Sequence, residues 1–380
     1  MNPSEISIVP VTRRREFKKF VLFPYRHYQN DPHWIPPLKF ERWNFLHPKK
    51  NYFYRHAKVG LFLAMREGQV VGRISAQIDW EYEKCHGERV GNFGFFECED
   101  RPETAAALFK AAEDFCRAEN ATRLLGPFNF SINQESGLLV EGFESPLMIM
   151  MPYNPRYYPA LVETAGYSKA KDLYAWWYQA GEIPEGPAQV AAEVAKHPGL
   201  VVRPVDKKNY LRDMTTIFEI FNSAWAKNWG FVPFTPEEIR KDAKEIRMLF
   251  DPSVAFLAEV DGKPAGICLS VPNLYELITD LNGKLFPFGW MKLLWRLKKR
   301  RYTSARLMML GVKEEFRGGT LGGLSVLLYS EVGRRGYQAG YRGGELSWTL
   351  EDNVKINAGI EFMGGKKYKT YRIYEKNLRS

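Results

Sequence analysis

Two halves of this chain carry the same punctuation. Gly68 and Gly72 flank a hairpin turn between apolar runs at 58–65 and 70–78, and Gly262 and Gly266 flank another between 254–260 and 265–271. Asn154 lies 82 positions after Gly72, and Asn353 lies 87 after Gly266. Each asparagine is followed by a glycine, Gly166 after 12 residues and Gly364 after 11. Spacing kept over such distances points to an internal duplication, so both halves must fold as the same unit. A 380-residue chain is long for one core and suits two.

A pass along the sequence fills in the repeat. Residues 5–11 read as a strand and 13–28 as an amphipathic helix with Phe17, Phe20, Val21 and Tyr25 on one face. Three prolines make 31–38 a loop. A strand at Gly91–Cys98, a helix at 102–119, a strand at 123–128, a short helix at 157–165 and a closing strand at 171–178 complete the first copy. Gly181, Pro184, Gly186 and Pro187 then mark a connection that ends at Gly199. The second copy restarts with a strand at 200–205 and helices at Tyr210–Trp225 and 236–250, the latter capped by Thr235 with Glu238 three residues on. The expected division is a domain at 1–180, a linker at 181–199 and a domain at 200–380, each of mixed α/β build.

The second copy holds a stretch that the first lacks. An apolar run at 305–311 leads into VKEEFRGGTLGGL at 312–324, and Leu, Val and Tyr then recur at helical spacing to 337. That is strand, Gly-rich turn, helix. Such a turn aims consecutive N–H groups from a helix start, an anion site suited to phosphate or pyrophosphate. Glycines let the ligand approach because no Cβ holds it off. A tight strand-to-helix connection is the plain alternative. Val312, Arg317, Gly318 and Gly322 resemble the acetyl-CoA signature of the GCN5-related N-acetyltransferase (GNAT) superfamily. There a valine ends the fourth strand and an Arg/Gln-x-x-Gly-x-Gly/Ala loop wraps the CoA pyrophosphate. Thr320 stands in place of the middle glycine.

The resemblance implies an α/β (α+β mixed-sheet) fold of two tandem GNAT-like domains, each a central mixed β-sheet flanked by helices. It implies that acetyl-CoA or a longer acyl-CoA, as co-substrate and without a metal, is held by Leu310, Gly311, Val312, Arg317, Gly318, Gly319, Thr320, Leu321, Gly322 and Asn353. The corresponding turn of the first copy, CEDRPETAAAL, has no glycine and crowds Glu97, Glu99, Asp100 and Glu103 at a helix start. Those carboxylates suit a helix dipole but repel pyrophosphate, so CoA is expected only in the second domain.

In that superfamily an amine attacks the thioester directly. A backbone N–H of the fourth strand, here near Leu310–Val312, stabilises the oxyanion, a base takes the ammonium proton, and an acid helps the thiolate leave. All six histidines precede residue 200. The base is then a carboxylate, a tyrosine or a water chain, unless the first domain lends a histidine; the best candidate is Glu345 in the apolar segment ELSWTL, with a surface glutamate at a strand edge as the alternative. The family often has a tyrosine seven residues after its motif asparagine; counted from Asn353 that position is Ile360. Tyr368 or Tyr371 could supply the acid, or could simply pack in the closing strand.

An insert at 284–301 (KLFPFGWMKLLWRLKKRR) separates two strands that need only a turn between them. As a helix from Gly289 it sets Trp290, Leu293, Leu294 and Leu297 apart from Lys292, Arg296, Lys299 and Arg300. It could lie on an anionic membrane, pack on the first domain, or lend charge to the CoA 3′-phosphate. The net charge of +10 suits any polyanionic partner. Four scattered cysteines without a C-x-x-C pair argue against a cysteine zinc site. No apolar run is long enough to span a bilayer, and the first residues are polar, so a cytoplasmic location is expected. The expected function is acyl-CoA-dependent N-acyl transfer to a small-molecule or lipid-like amine. The rivals are a non-catalytic acyl-CoA-binding or membrane-peripheral protein and a FemABX-like transferase using aminoacyl-tRNA. The intact turn disfavours the last, and nucleic acid with it.

Overall fold

The computed structural model describes residues 5–181, 183–247 and 250–379. It divides into two compact units, one of Met1–Leu173, Ile278–Leu294 and Lys369–Ser380, the other of Tyr174–Leu277 and Trp295–Tyr368.

In the first unit, Ser7–Pro10, Ala57–Arg66, Gln69–Asp79 and Gly91–Cys98 pair antiparallel in sequence order. Arg123–Gly126 then joins parallel to Gly91–Cys98, which requires a crossover, and the helix Pro102–Ala118 supplies it. That helix starts with proline, whose missing N–H is harmless in the first turn. Its Ala105, Leu108, Phe109, Ala112 and Cys116 recur at helical spacing and are buried with Ile74, Phe93 and Leu124. Truncating Leu108 to alanine would cost about 2–5 kcal/mol.

The second unit repeats this order. Leu200–Pro204, Ala255–Val260, Lys263–Pro272 and Ser304–Val312 are antiparallel, and Gly343–Leu350 joins parallel after the helix Leu324–Gln338. Strand alternation sorts its core. Ala255, Leu257, Ile267 and Leu269 pack with the helices Tyr210–Trp225 and Pro236–Ile246, whereas Phe256, Ala258 and Cys268 pack with Leu324, Leu327 and Leu328. The two hairpin turns match in detail: Glu67 and Gly68, like Asp261 and Gly262, all have positive φ, the signature of a tight two-residue hairpin loop.

Three features depart from the expected layout. The helix expected over 236–250 ends at Ile246; its capping box of Thr235 and Glu238 is present, and Met248 and Leu249 lie outside the described residues. The stretch expected as the linker contains a helix, Glu185–Val194, that is part of the second unit, with Ala191 and Val194 buried in its core. The closing strands do not follow chain order either. Tyr374–Asn377, at the end of the chain, pairs with Arg123–Gly126 in the first unit. In the second unit the stretch that ends the first half lies beside Gly343–Leu350: the Ala180 N–H donates to Arg342 O (3.0 Å) and Trp176 Nε1 to Thr349 Oγ1 (2.9 Å).

Candidate functional site

Within the second unit, Ser304–Val312 and Gly343–Leu350 are paired from Ser304↔Gly343 to Leu307↔Leu346. Past that register, Met308, Leu310, Gly311 and Val312 on one strand and Ser347, Trp348, Thr349 and Leu350 on the other line a cavity of about 560 Å³. Trp225, Phe316, Leu321, Tyr329 and Ile360 give it apolar walls. Strands that stop pairing leave backbone N–H and C=O groups open to a ligand. Gly311 keeps the wall thin: a Cβ there would stand 2.4 Å from a Trp225 ring carbon.

One end of the cavity is the Gly-rich turn. Two single 3₁₀ turns, Glu314–Phe316 and Gly319–Leu321, lead into the helix Leu324–Gln338. Arg317 folds back so that its Nε donates to Val312 O at 2.8 Å, fixing the turn to the strand end. Gly319 has φ +58, which a side chain would strain, and a Cβ on Gly318 or Gly319 would meet only open space. The N–H groups of Gly318, Gly319 and Thr320 meet no backbone carbonyl among the described residues. These donors lie just ahead of the helix Leu324–Gln338, an arrangement chemically able to receive an anion. Thr320, in the middle-glycine position, is exposed.

Of the ten residues expected to hold acyl-CoA, Leu310, Gly311, Val312, Arg317, Leu321, Gly322 and Asn353 line the cavity. Gly318, Gly319 and Thr320 form the turn at its end. Asn353 also caps the helix Val354–Phe362, accepting from the Ile356 N–H. Ile360 is buried and faces the cavity, so that position offers no hydroxyl. Tyr329 does offer one, with burial raising its pKa.

Glu345 and Tyr368, the expected catalytic pair, are brought together. The Tyr368 hydroxyl donates to Glu345 Oε2 and the Ser347 hydroxyl to Oε1. Glu345 has no solvent exposure, which rules out the surface-edge alternative, and Arg306 Nε lies 3.8 Å from it. Arg306 Nε also donates to Ser347 Oγ at 2.8 Å. A buried carboxylate needs this much support. Neither Glu345 nor Tyr368 lines the cavity; Ser347 does, and so links the cavity to the buried carboxylate. Sequence reasoning missed Ser347 and Arg306. The available signal was period-2 spacing, which puts 345 and 347 on one face of the strand. Tyr371 is fully buried in the first unit.

The matching region of the first unit is built differently. At the start of the helix Pro102–Ala118, Arg66 pairs with Glu99 and Arg73 with Glu97, so the acidic turn is closed by its own ion pairs. The polar cluster after the strand Arg123–Gly126 is likewise engaged: Asn129 accepts from the Phe95 N–H (2.7 Å) and donates to Glu135 (2.8 Å), which Arg42 also reaches (2.6 Å). Among the described residues, no group of three or more His, Cys, Asp or Glu could hold a metal, and no helix is long and apolar enough to cross a membrane.

The chain is 44% identical over 378 residues to the bacterial ceramide synthase of Caulobacter vibrioides, covering 99% of this chain and 98% of that one. It is 40% identical over 368 residues to protein YghO of Escherichia coli, covering 96% and 94%. No protein-family profile matches. Among solved structures, a tandem GNAT protein from the clavulanic acid biosynthesis pathway superposes over 99% of both chains with a TM-score of 0.53 at 15% identity, a likeness of fold.

Proposed function

The chain belongs to the family of the Caulobacter vibrioides bacterial ceramide synthase and has a tandem GNAT fold; on that premise we propose that it transfers a fatty acyl group from acyl-CoA to the amine of a long-chain amino alcohol, forming an amide. A ceramide is such an amide. The observation that carries this reading is the 560 Å³ cavity, which sets Trp225, Phe316, Leu321 and Ile360 beside polar groups and has the Gly-rich turn with its unbonded N–H groups at one end. That combination matches a substrate with a phosphate-rich end and an apolar acyl end.

In this reading the pyrophosphate of the acyl-CoA substrate lies against Gly318–Gly322 and Arg317, and its thioester between Leu310–Val312 and Ser347–Leu350. The amine nitrogen attacks the carbonyl carbon, and a backbone N–H at the end of Ser304–Val312 donates to the oxygen as it gains charge. The C–S bond breaks and the sulfur leaves as CoA thiolate. The proton lost by the ammonium passes to Ser347, whose own hydroxyl proton moves to Glu345. Arg306 and Tyr368 stabilise the carboxylate that receives it. The thiolate of CoA is a tolerable leaving group, so the reaction does not depend on a tyrosine at position 360.

The direct test incubates the purified full chain with palmitoyl-CoA and sphinganine, following free thiol release and the amide product by mass spectrometry. Thiol release that needs the amine, with the amide as product, is expected. A folded protein that binds no acyl-CoA by calorimetry, or binds it without forming an amide with any amine in a broad panel, would sink the proposal.

A further inference from the structure

The segment Ile278–Leu294 carries apolar side chains that the described residues leave uncovered. Phe286 and Phe288, 81% and 73% exposed, flank Pro287 just ahead of the helix Gly289–Lys298. On that helix Trp290, Met291, Leu294 and Trp295 are all exposed, and none of its residues is buried. Single exposed apolar residues are ordinary; six within ten positions are not.

The segment is held in place rather than loose. Lys292 pairs with Asp280, and the Lys39 N–H donates to Gly283 O at 3.0 Å. Gly283 has φ +70, and a Cβ there would stand 2.7 Å from both Pro37 O and the Tyr25 ring. The first turn of the helix Lys39–Leu46 thereby abuts this segment, and its Phe40 is also exposed.

Charge says what the face meets. Lys284, Lys298 and Lys299 are exposed and make no ion pair among the described residues. The Lys39 ammonium pKa is lowered by burial and then by the Lys284 charge. Asp280, the acid within the segment, is engaged by Lys292. A second copy of the chain could bury the apolar residues, but it would bring two sets of these lysines together. An anionic surface instead satisfies both the apolar and the cationic groups. The helix is too short to span a bilayer, but aromatic residues beside lysines suit the boundary between headgroups and acyl chains.

We propose that this face docks the protein on an anionic lipid bilayer, with Phe286, Phe288 and Trp290 inserted below the headgroups and Lys284, Lys298 and Lys299 among them. Docking goes beyond the proposed chemistry and is read without turnover, so the two can fail separately.

The test is co-sedimentation of the full chain with phosphatidylcholine vesicles, with and without phosphatidylglycerol. Wild type is expected to sediment with the anionic vesicles and to be released by salt. Lys284→Ala/Lys298→Ala/Lys299→Ala should lower partitioning by roughly 100-fold, and Phe286→Ala/Phe288→Ala/Trp290→Ala by about ten-fold or more. These side chains are exposed, so both variants should keep the wild-type circular dichroism. Tryptophan fluorescence of the wild type should be quenched by brominated lipid. Wild type that stays in solution with both vesicles, or an aromatic variant that sediments like wild type, overturns the proposal. So does sedimentation-velocity evidence that the aromatic substitutions dissolve a dimer instead.

Discussion

The hydroxyl of Tyr368 donates to the carboxylate of Glu345, a side chain with no solvent exposure that also accepts from Ser347 and faces Arg306 at 3.8 Å. If this carboxylate receives the proton of the attacking amine, Glu345→Gln should lower kcat by about 100-fold or more while changing the KM for acyl-CoA little. Tyr368→Phe should have a smaller effect in the same direction. Glu345→Ala is a poorer test, because it leaves a buried gap and removes the acceptor of the Ser347 and Tyr368 hydroxyls, which would itself cost about 1–3 kcal/mol. Steady-state kinetics beside thermal melting separates the two, and an unchanged kcat in Glu345→Gln would reduce the carboxylate to a structural role.

The turn at Gly318–Gly322 is expected to act on binding. Arg317→Ala with Gly322→Val removes a cation and narrows the approach to the backbone. The dissociation constant for acyl-CoA, measured by isothermal titration calorimetry, should rise about ten-fold or more. The amine KM should stay near wild type. Undiminished binding would show that the donor is held elsewhere.

Gly311 offers a test of the cavity wall. A Cβ at this position would stand 2.4 Å from Trp225, so Gly311→Ala must push that ring aside or shift the strand. We expect a loss of about 1–3 kcal/mol in denaturant unfolding. Acyl-CoA binding should weaken too, since Trp225 lines the cavity.

His27 sets a pH dependence in the first unit. Its Nε2 lies 3.0 Å from the Tyr158 hydroxyl, and burial, then the charges of Arg73 and Arg26, lower its pKa from 6.5 to about 4. Above pH 6.5 it is neutral both folded and unfolded, and its contribution is flat. As pH falls from 6.5 toward 4 the unfolded chain takes up a proton that the folded chain resists. Stability is lost across that window, by up to about 3 kcal/mol, and levels off below it. His27→Gln should flatten the Tm profile over the same range, and a slope left intact would assign it to other groups.

Much of the fold was legible in the sequence for local reasons. Gly68 and Asp261–Gly262 announce hairpins because the positive φ of such a turn favours glycine and aspartate. The Ala and Leu spacing of Pro102–Ala118 announces a helix, and the glycines after Val312 announce a turn that a ligand can approach. Each of these needs only neighbours in sequence. The paired residues of the candidate site were less legible. Glu345 could be named as a candidate from its strand, but a strand edge and a strand interior look alike from one chain segment.

The sequence by itself determined most of the elements, the duplication and the Gly-rich turn, because backbone preferences and side-chain periodicity act within a few residues. Only the tertiary structure decided which closing strand completes which unit. Strands present the same donors and acceptors to any partner, so the pairing of Tyr374 with Gly126 is not written in either segment. It likewise decided that Glu345 is buried with Arg306, Ser347 and Tyr368, and that Phe286 to Trp295 remain uncovered. Burial is a property of what arrives from elsewhere in the chain.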